Sequence, residues 1–255
     1  MAEPVIVFHP RYLERYPTTH VECPERAGAV YEALSLHYQE LRPEPAGLED
    51  LARVHTRRLI AAVEREDLGL YEAARLAAGG ALLAAREAVA GRPAFGVIRP
   101  PGHHASPDSH WGFCFFNNMA VALAALLFEG RIKTAFVLDF DLHFGDGTVN
   151  YFQGRREVTV FNPQVVPDRA KYVASVRRTL SGTAEADLIG VSAGFDLGEN
   201  DWGALLTAGD YEELGRLVKE AAGRLGQGRR FALLEGGYHI PDLGKNALAF
   251  CRGFF

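Results

Sequence analysis

Short apolar runs alternate with longer amphipathic stretches along most of the chain. Six runs rich in Val, Ile, Leu and Phe read as strands: Val5–His9, Phe95–Ile98, Ala135–Leu138, Glu157–Phe161, Asp187–Val191 and Phe231–Leu234. Between them, Glu25–His37, Tyr71–Ala90, Asn117–Phe128, Gly209–Leu225 and Lys245–Cys251 carry helical spacing. The longest apolar run, Met119 to Phe128, reads as a buried helix. Nearly continuous apolar strands separated by amphipathic helices indicate an α/β fold, its parallel sheet covered on both faces. No repeat or Gly/Ser/Pro linker divides the chain, and RPEPAG (42–47) is only loop-sized, so 1–255 is expected to form a single domain.

Four of the strands run directly into loops dense in polar residues and glycine. Phe95–Ile98 leads into RPPGHHASPDSHWGFCFFNN, and Ala135–Leu138 into DFDLHFGDGT. Asp187–Val191 leads into SAGFDLGENDWG, and Phe231–Leu234 into EGGYHIPD. In open α/β sheets, sites form outside the carboxyl ends of the strands. Four such loops on one edge are expected to surround a common crevice.

Composition narrows the classes. With 255 residues, 48% hydrophobic and 23% charged, the chain is ordinary for a globular protein. A net charge of -5 gives no general pull toward nucleic acid or an anionic membrane, and neither is expected as a partner. No stretch approaches the roughly 18 apolar residues of a membrane span, and the first residues hold no signal-peptide core. The three cysteines, Cys23, Cys114 and Cys251, are odd in number and form no CxxC. Structural disulfides and a cysteine zinc site are therefore disfavoured, and a cytoplasmic location is expected.

The chemistry lies in the four loops. Where extended geometry persists past the strand, Asp139, Asp141 and His143 face one side. Crowded carboxylates repel unless a cation or proton neutralises them, so a divalent ion is expected, with Asp196 as third ligand. Three O/N ligands and a water describe an open, catalytic site. The same residues also fit an Asp-rich turn; the company of the other loops favours the ion. His103 and His104, behind the stiff Pro100-Pro101-Gly102, are loop or core residues on one reading. On the other, Asp139 and Asp146 make them carboxylate-tuned bases beside a metal-bound water. Tyr238, after Glu235-Gly236-Gly237, is either core or an oxyanion donor. Trp111–Phe116 reads mostly as core, with one aromatic free to line an apolar channel and Cys114 buried and inert. His20, Glu22, Pro24, Glu25 and Arg26 read mainly as a helix start.

These loops, in order, resemble the histone deacetylase family, which includes acetylpolyamine amidohydrolases and acetoin-utilisation-type proteins; the chain is similar to its short bacterial members. The matching pieces are HVECPER (20–26), ARVHT (52–56), RPPGHHA (99–105), GFCFFNN (112–118), DFDLHFGDGT (139–148), SAGFD (192–196) and LEGGY (234–238). The resemblance implies an arginase/deacetylase-like three-layer fold with a largely parallel central sheet. It implies a Zn²⁺ site (or Fe²⁺ or Co²⁺) at Asp141, His143 and Asp196. His103 and His104 correspond to the tandem histidines, the second as proton shuttle, with Asp139 and Asp146 as their partners. Tyr238 corresponds to the residue that polarises the scissile carbonyl, Phe113 to a channel wall, and Gly112 to a carbonyl offered to the substrate amide. The implied partner is a small-molecule or peptide acylamine, an acetylated lysine side chain or polyamine; oligomeric state is left open.

Three departures from the family pattern stand out. Phe144 replaces the second histidine of HHGDG, which implies altered packing. The stretch after Val158–Phe161 is short, which implies a shallower or more open channel. A serine is replaced around Phe161-Asn162, which puts a monovalent-cation site, such as one for K⁺, in question. Two other functions fit less well: a binuclear manganese ureohydrolase, which needs a second carboxylate set, and a non-catalytic acylamine-binding protein.

Overall fold

The computed structural model describes residues 3–255. Seven strands form one sheet: β1 (Val5–Val7), β2 (Gln39–Leu41), β3 (Ala94–Gly96), β4 (Ala135–Asp139), β5 (Val158–Phe161), β6 (Leu188–Ala193) and β7 (Arg230–Leu234). Their order is β2-β1-β3-β7-β6-β4-β5, and every pairing is parallel. The five inner strands are buried throughout, as their apolar composition requires. β2 was not foreseen. It is a three-residue edge strand, QEL, partly exposed and joined to β1 by backbone pairing that an apolar pattern does not register.

Helices cover both faces. On one, α4 (Leu68–Val89) lies against β1, β3 and β7 and packs on α5 (Asn118–Phe128). On the other, α8 (Ala208–Leu225) lies against β6 and β7, and α9 (Ile240–Phe254) packs between it and α1 (Pro24–Ser35). The remaining helices, α2 (Leu48–Ala52), α3 (Arg57–Glu66), α6 (Asp146–Phe152) and α7 (Arg169–Gly182), complete the layers. Side-chain caps fix where several begin: Thr56, Asp67, Asn117 and Asp168 each accept an N–H from the first turn of α3, α4, α5 and α7. No helix among the described residues is long and apolar enough to cross a membrane.

This order matters for function. β3, β7, β6 and β4 are consecutive neighbours, and they are the four strands followed by polar loops. All are parallel, so those loops leave the same edge side by side.

Two glycines test the packing in opposite directions. A Cβ at Gly79, inside α4, would overlap the Glu44 carbonyl, whereas one at exposed Gly223 in α8 meets nothing. Gly79→Ala is expected to destabilise the fold by about 1–3 kcal/mol, and Gly223→Ala to stabilise it by about 0.5–1 kcal/mol. Urea unfolding measures both; equal effects would contradict this packing.

Candidate metal centre and active site

The strand-end residues converge, but not by strand alternation. β4 ends at Asp139, and beyond it the chain folds on its own side chains. Asp139 Oδ1 accepts the Asp141 N–H at 3.2 Å, and Asp141 Oδ1 accepts the His143 N–H at 2.9 Å. Each aspartate thus caps the residue two ahead, the Asx geometry that competes with extended backbone. From the loop after β6, Asp196 Oδ1 takes the Leu142 N–H at 2.9 Å. The expectation that Asp139, Asp141 and His143 share one side by extension is corrected: successive turns gather them, and Asp139 is directed to His103 instead.

Ligating atoms of Asp141, His143 and Asp196 lie within 4.8 Å of one another. His143 Nδ1 is 3.1 Å from Asp141 Oδ1 and 3.0 Å from Asp196 Oδ2. Asp196 Oδ2 is nevertheless buried without a well-directed hydrogen bond. A Cβ at Gly236 would stand 2.6 Å from Asp141 Oδ2 and 2.8 Å from Asp196 Oδ2, and one at Gly194 would overlap Asp141. Only bare backbone fits around this acid pair. The hydrogen bond to Asp141 and the nearness of Asp196 push the His143 pKa up to about 10. Burial and the Asp141 charge raise Asp196. Burial also opposes charge on Asp141, but His103 and the bonds from His143 and Gly236 outweigh it and hold that acid down. The cluster therefore demands positive charge, and an ion taking His143 displaces a proton. An orphaned oxygen, an O/N donor set and a glycine cradle all fit a divalent cation.

His103, Cys114 and Glu235 form a second close group. Its donors are already engaged. Glu235 Oε2 accepts the N–H groups of Gly102 (2.7 Å) and His103 (3.2 Å), and Oε1 takes the Ser192 hydroxyl. Cys114 is buried as expected, and burial raises the pKa of its thiol.

Both histidines find the partners foreseen. His103 Nδ1 lies 3.0 Å from Asp139 Oδ2, and His104 Nδ1 lies 2.6 Å from Asp146 Oδ1. Their charge states diverge. Burial disfavours the His103 cation, but Asp139 and Asp141 outweigh it and raise the pKa. Burial and the neighbouring His103 charge lower His104 to about 4. His104 is thus neutral near pH 7, with Nδ1 on Asp146 and Nε2 uncommitted.

Tyr238 is held by groups that the sequence pattern did not reveal. Asp201 Oδ2 accepts the N–H groups of Tyr238 and His239 at 2.7 Å each. The Arg26 guanidinium sits 4.8 Å from the phenol ring centre and donates to the carbonyls of Glu235 and Gly237. Arg26 and Arg99 are buried on either side of Glu22. The motif at 20–26 is therefore more than a helix start: Pro24 and Glu25 begin α1, while Glu22 and Arg26 brace the tyrosine loop. Burial raises the Tyr238 pKa, so the phenol keeps its proton as a donor.

A cavity of about 160 Å³ is lined by His104, His143, Tyr238, Phe113, Trp111 and Trp202, among others. A larger cleft of about 530 Å³ beside α5 and α6 contains neither His nor Asp in its lining. Gly112 and Phe113 both have positive φ, +62° and +67°. A Cβ at Gly112 would stand 2.6 Å from His104 Cδ2, so only glycine passes there. Strain at Phe113, about 1–3 kcal/mol for a non-glycine in this region, turns its ring toward the cavity. Trp111 is not core: it is 53% exposed. Trp202, 52% exposed, stacks on Tyr238 at 3.9 Å. No residue of 162–168 lines the cavity, and Trp202 supplies a wall from the β6 loop instead.

Residues 20–163 match the histone deacetylase domain. A probable deacetylase of Archaeoglobus fulgidus is 31% identical over 98% of this chain and 86% of that protein. This chain belongs to the histone deacetylase family. A histone deacetylase-like amidohydrolase of Pseudomonas aeruginosa is 30% identical over 88% of this chain and 75% of its own. The fold matches the crystal structure of the HDA15 HD domain with a TM-score of 0.88, at 23% identity over 99% of this chain and 89% of that one. Within this family frame, the departures have local causes and consequences. Phe144 is 59% exposed, so it leaves the interior packing undisturbed. Asn162 Oδ1 accepts the Gly145 N–H at 2.8 Å and anchors the turn before Asp146.

The cradle makes a direct prediction. Gly236→Ala is expected to weaken divalent-metal affinity about 10–100-fold, the scale for disturbing groups that orient ligands. Competition against a chromophoric chelator measures it, and an unchanged affinity would contradict the site.

Proposed function

We propose that this protein hydrolyses the N-acyl, chiefly N-acetyl, amide of a lysine side chain or polyamine-like amine, using Zn²⁺, with Fe²⁺ or Co²⁺ as alternatives. The observation that carries this reading is one small cavity lined by His104, His143 and Tyr238, with Asp141 and Asp196 close behind His143 and Asp146 on His104. A divalent ion held by those three residues supplies Lewis acidity toward an amide carbonyl and acidity toward a water.

The remaining steps belong to the chain. His104 accepts the water proton at Nε2, and Asp146 stabilises the resulting imidazolium through Nδ1. The same nitrogen later delivers a proton to the leaving amine. Asp139 and Asp141 favour the His103 cation, so in this reading His103 offsets the acids while His104 acts as the base. The Tyr238 hydroxyl donates to the carbonyl oxygen as negative charge develops there. Phe113 and Trp202 flank the alkyl stem of the amine, and the Gly112 carbonyl faces the substrate amide N–H in this reading. The small cavity volume, about 160 Å³, favours a small acyl group.

The alternatives lose support at particular residues. A binuclear site needs further free carboxylates, but Asp201 is engaged with the N–H groups of Tyr238 and His239. A mere binder has no use for a neutral, carboxylate-oriented imidazole.

Tyr238→Phe is expected to reduce kcat about 10²–10³-fold, the usual scale for losing one oxyanion donor. His104→Ala should abolish turnover of a fluorogenic acetyl-lysine substrate or an acetylpolyamine while metal content stays at the wild-type level. Full turnover by either variant on metal-quantified protein would remove that residue from the reaction.

A further inference from the structure

Trp111 is half in solvent, so burial does not account for its place, and its one polar atom has a specific target. Indole Nε1 donates to Asp146 Oδ2 at 2.9 Å, while Asp146 Oδ1 holds His104 Nδ1 at 2.6 Å. The indole and imidazole ring centres are 3.8 Å apart, with planes 31° from parallel. The next residue, Gly112, passes so close to His104 that no side chain fits between them.

We infer that Trp111 is a positioning residue for the His104–Asp146 pair, fixing the carboxylate by its N–H and covering the imidazole with its ring. The carboxylate is about one-third exposed, so without the indole water competes for Oδ2 and the acid is free to rotate away from Nδ1. A hydrogen bond to a charged group is stronger than a neutral one and fixes direction. The ring adds a second effect: an aromatic face stabilises a cation lying over it, so it favours His104 once it has taken a proton. Trp111 therefore acts through His104, and the inference rests on the reading of His104 as the proton acceptor.

Two measurements test it. The chain has only two tryptophans, so the amide NMR spectrum holds two indole N–H signals. The Trp111 signal, identified by its loss in Trp111→Phe, is expected to move and exchange faster in Asp146→Asn; a signal indifferent to that change would overturn the contact. This readout needs neither metal nor activity. In the loaded enzyme, Trp111→Phe keeps a ring but loses the donor, and kcat is expected to fall about tenfold with KM within about twofold, the scale of one charge-assisted hydrogen bond. In an Asp146→Ala background the same change should cost almost nothing further. A raised KM with unchanged kcat, or fully additive losses, would make Trp111 a cavity wall and overturn its positioning role. The two readings fail separately. An unimpaired His104→Ala contradicts the proposed reaction and with it the role of Trp111, whereas a His104-dependent enzyme that tolerates Trp111→Phe contradicts Trp111 alone.

Discussion

Two buried carboxylates, Asp141 and Asp196, converge on His143, and the backbone at Gly194 and Gly236 passes too close to them to carry a side chain. Unneutralised charges in such a place are costly, and their mutual repulsion raises the cost. His143 answers part of the demand by binding a proton far above its usual pH range. The remainder is visible as a buried oxygen with no hydrogen-bond donor directed at it. A divalent ion relieves both problems at once, and most of the surrounding architecture is arranged around that requirement.

The sheet supplies the position, because β7 lies between β3 and β6. That order sets the tandem histidines, the tyrosine loop and the acid pair on adjacent strand ends. Glycines at 194 and 236 allow backbone to approach the carboxylates, and the Gly236 N–H bonds Asp141 Oδ2 at 2.8 Å. Farther out, Glu22, Arg26 and Arg99 form a buried charge group that ties α1 to the carbonyls flanking Gly236. Removing one partner from such a group is far more damaging than the net worth of the pair suggests. The site is thus braced by charges that take no direct part in the reaction.

The sequence made the inner strands and long helices legible, because burial on both faces leaves a continuous apolar run that composition reveals. The edge strand β2 escaped notice, having only one apolar residue. α7 shows Tyr172, Val176 and Leu180 at four-residue spacing, yet it was not among the expected helices, because its first residues were read with the short stretch after β5. The strand-end acids and histidines were legible as a set, since ligating groups crowded into four separate loops stand out against an otherwise ordinary composition. Their geometry was not: Asx turns rather than strand alternation bring Asp141 and His143 together. Trp111, Trp202 and Asp201 were missed because the first resembled core and the other two turn residues. Their roles depend on neighbours from distant loops, which local pattern does not carry.

The claim on which the rest stands is that Asp141, His143 and Asp196 grip one cation. Anomalous diffraction from crystals grown with Zn²⁺ tests it most directly. One strong peak bounded by Asp141, His143 and Asp196 is expected, with the cavity on its open side. A peak beside His103, Cys114 and Glu235 instead, or none within reach of Asp196 Oδ2, would contradict it.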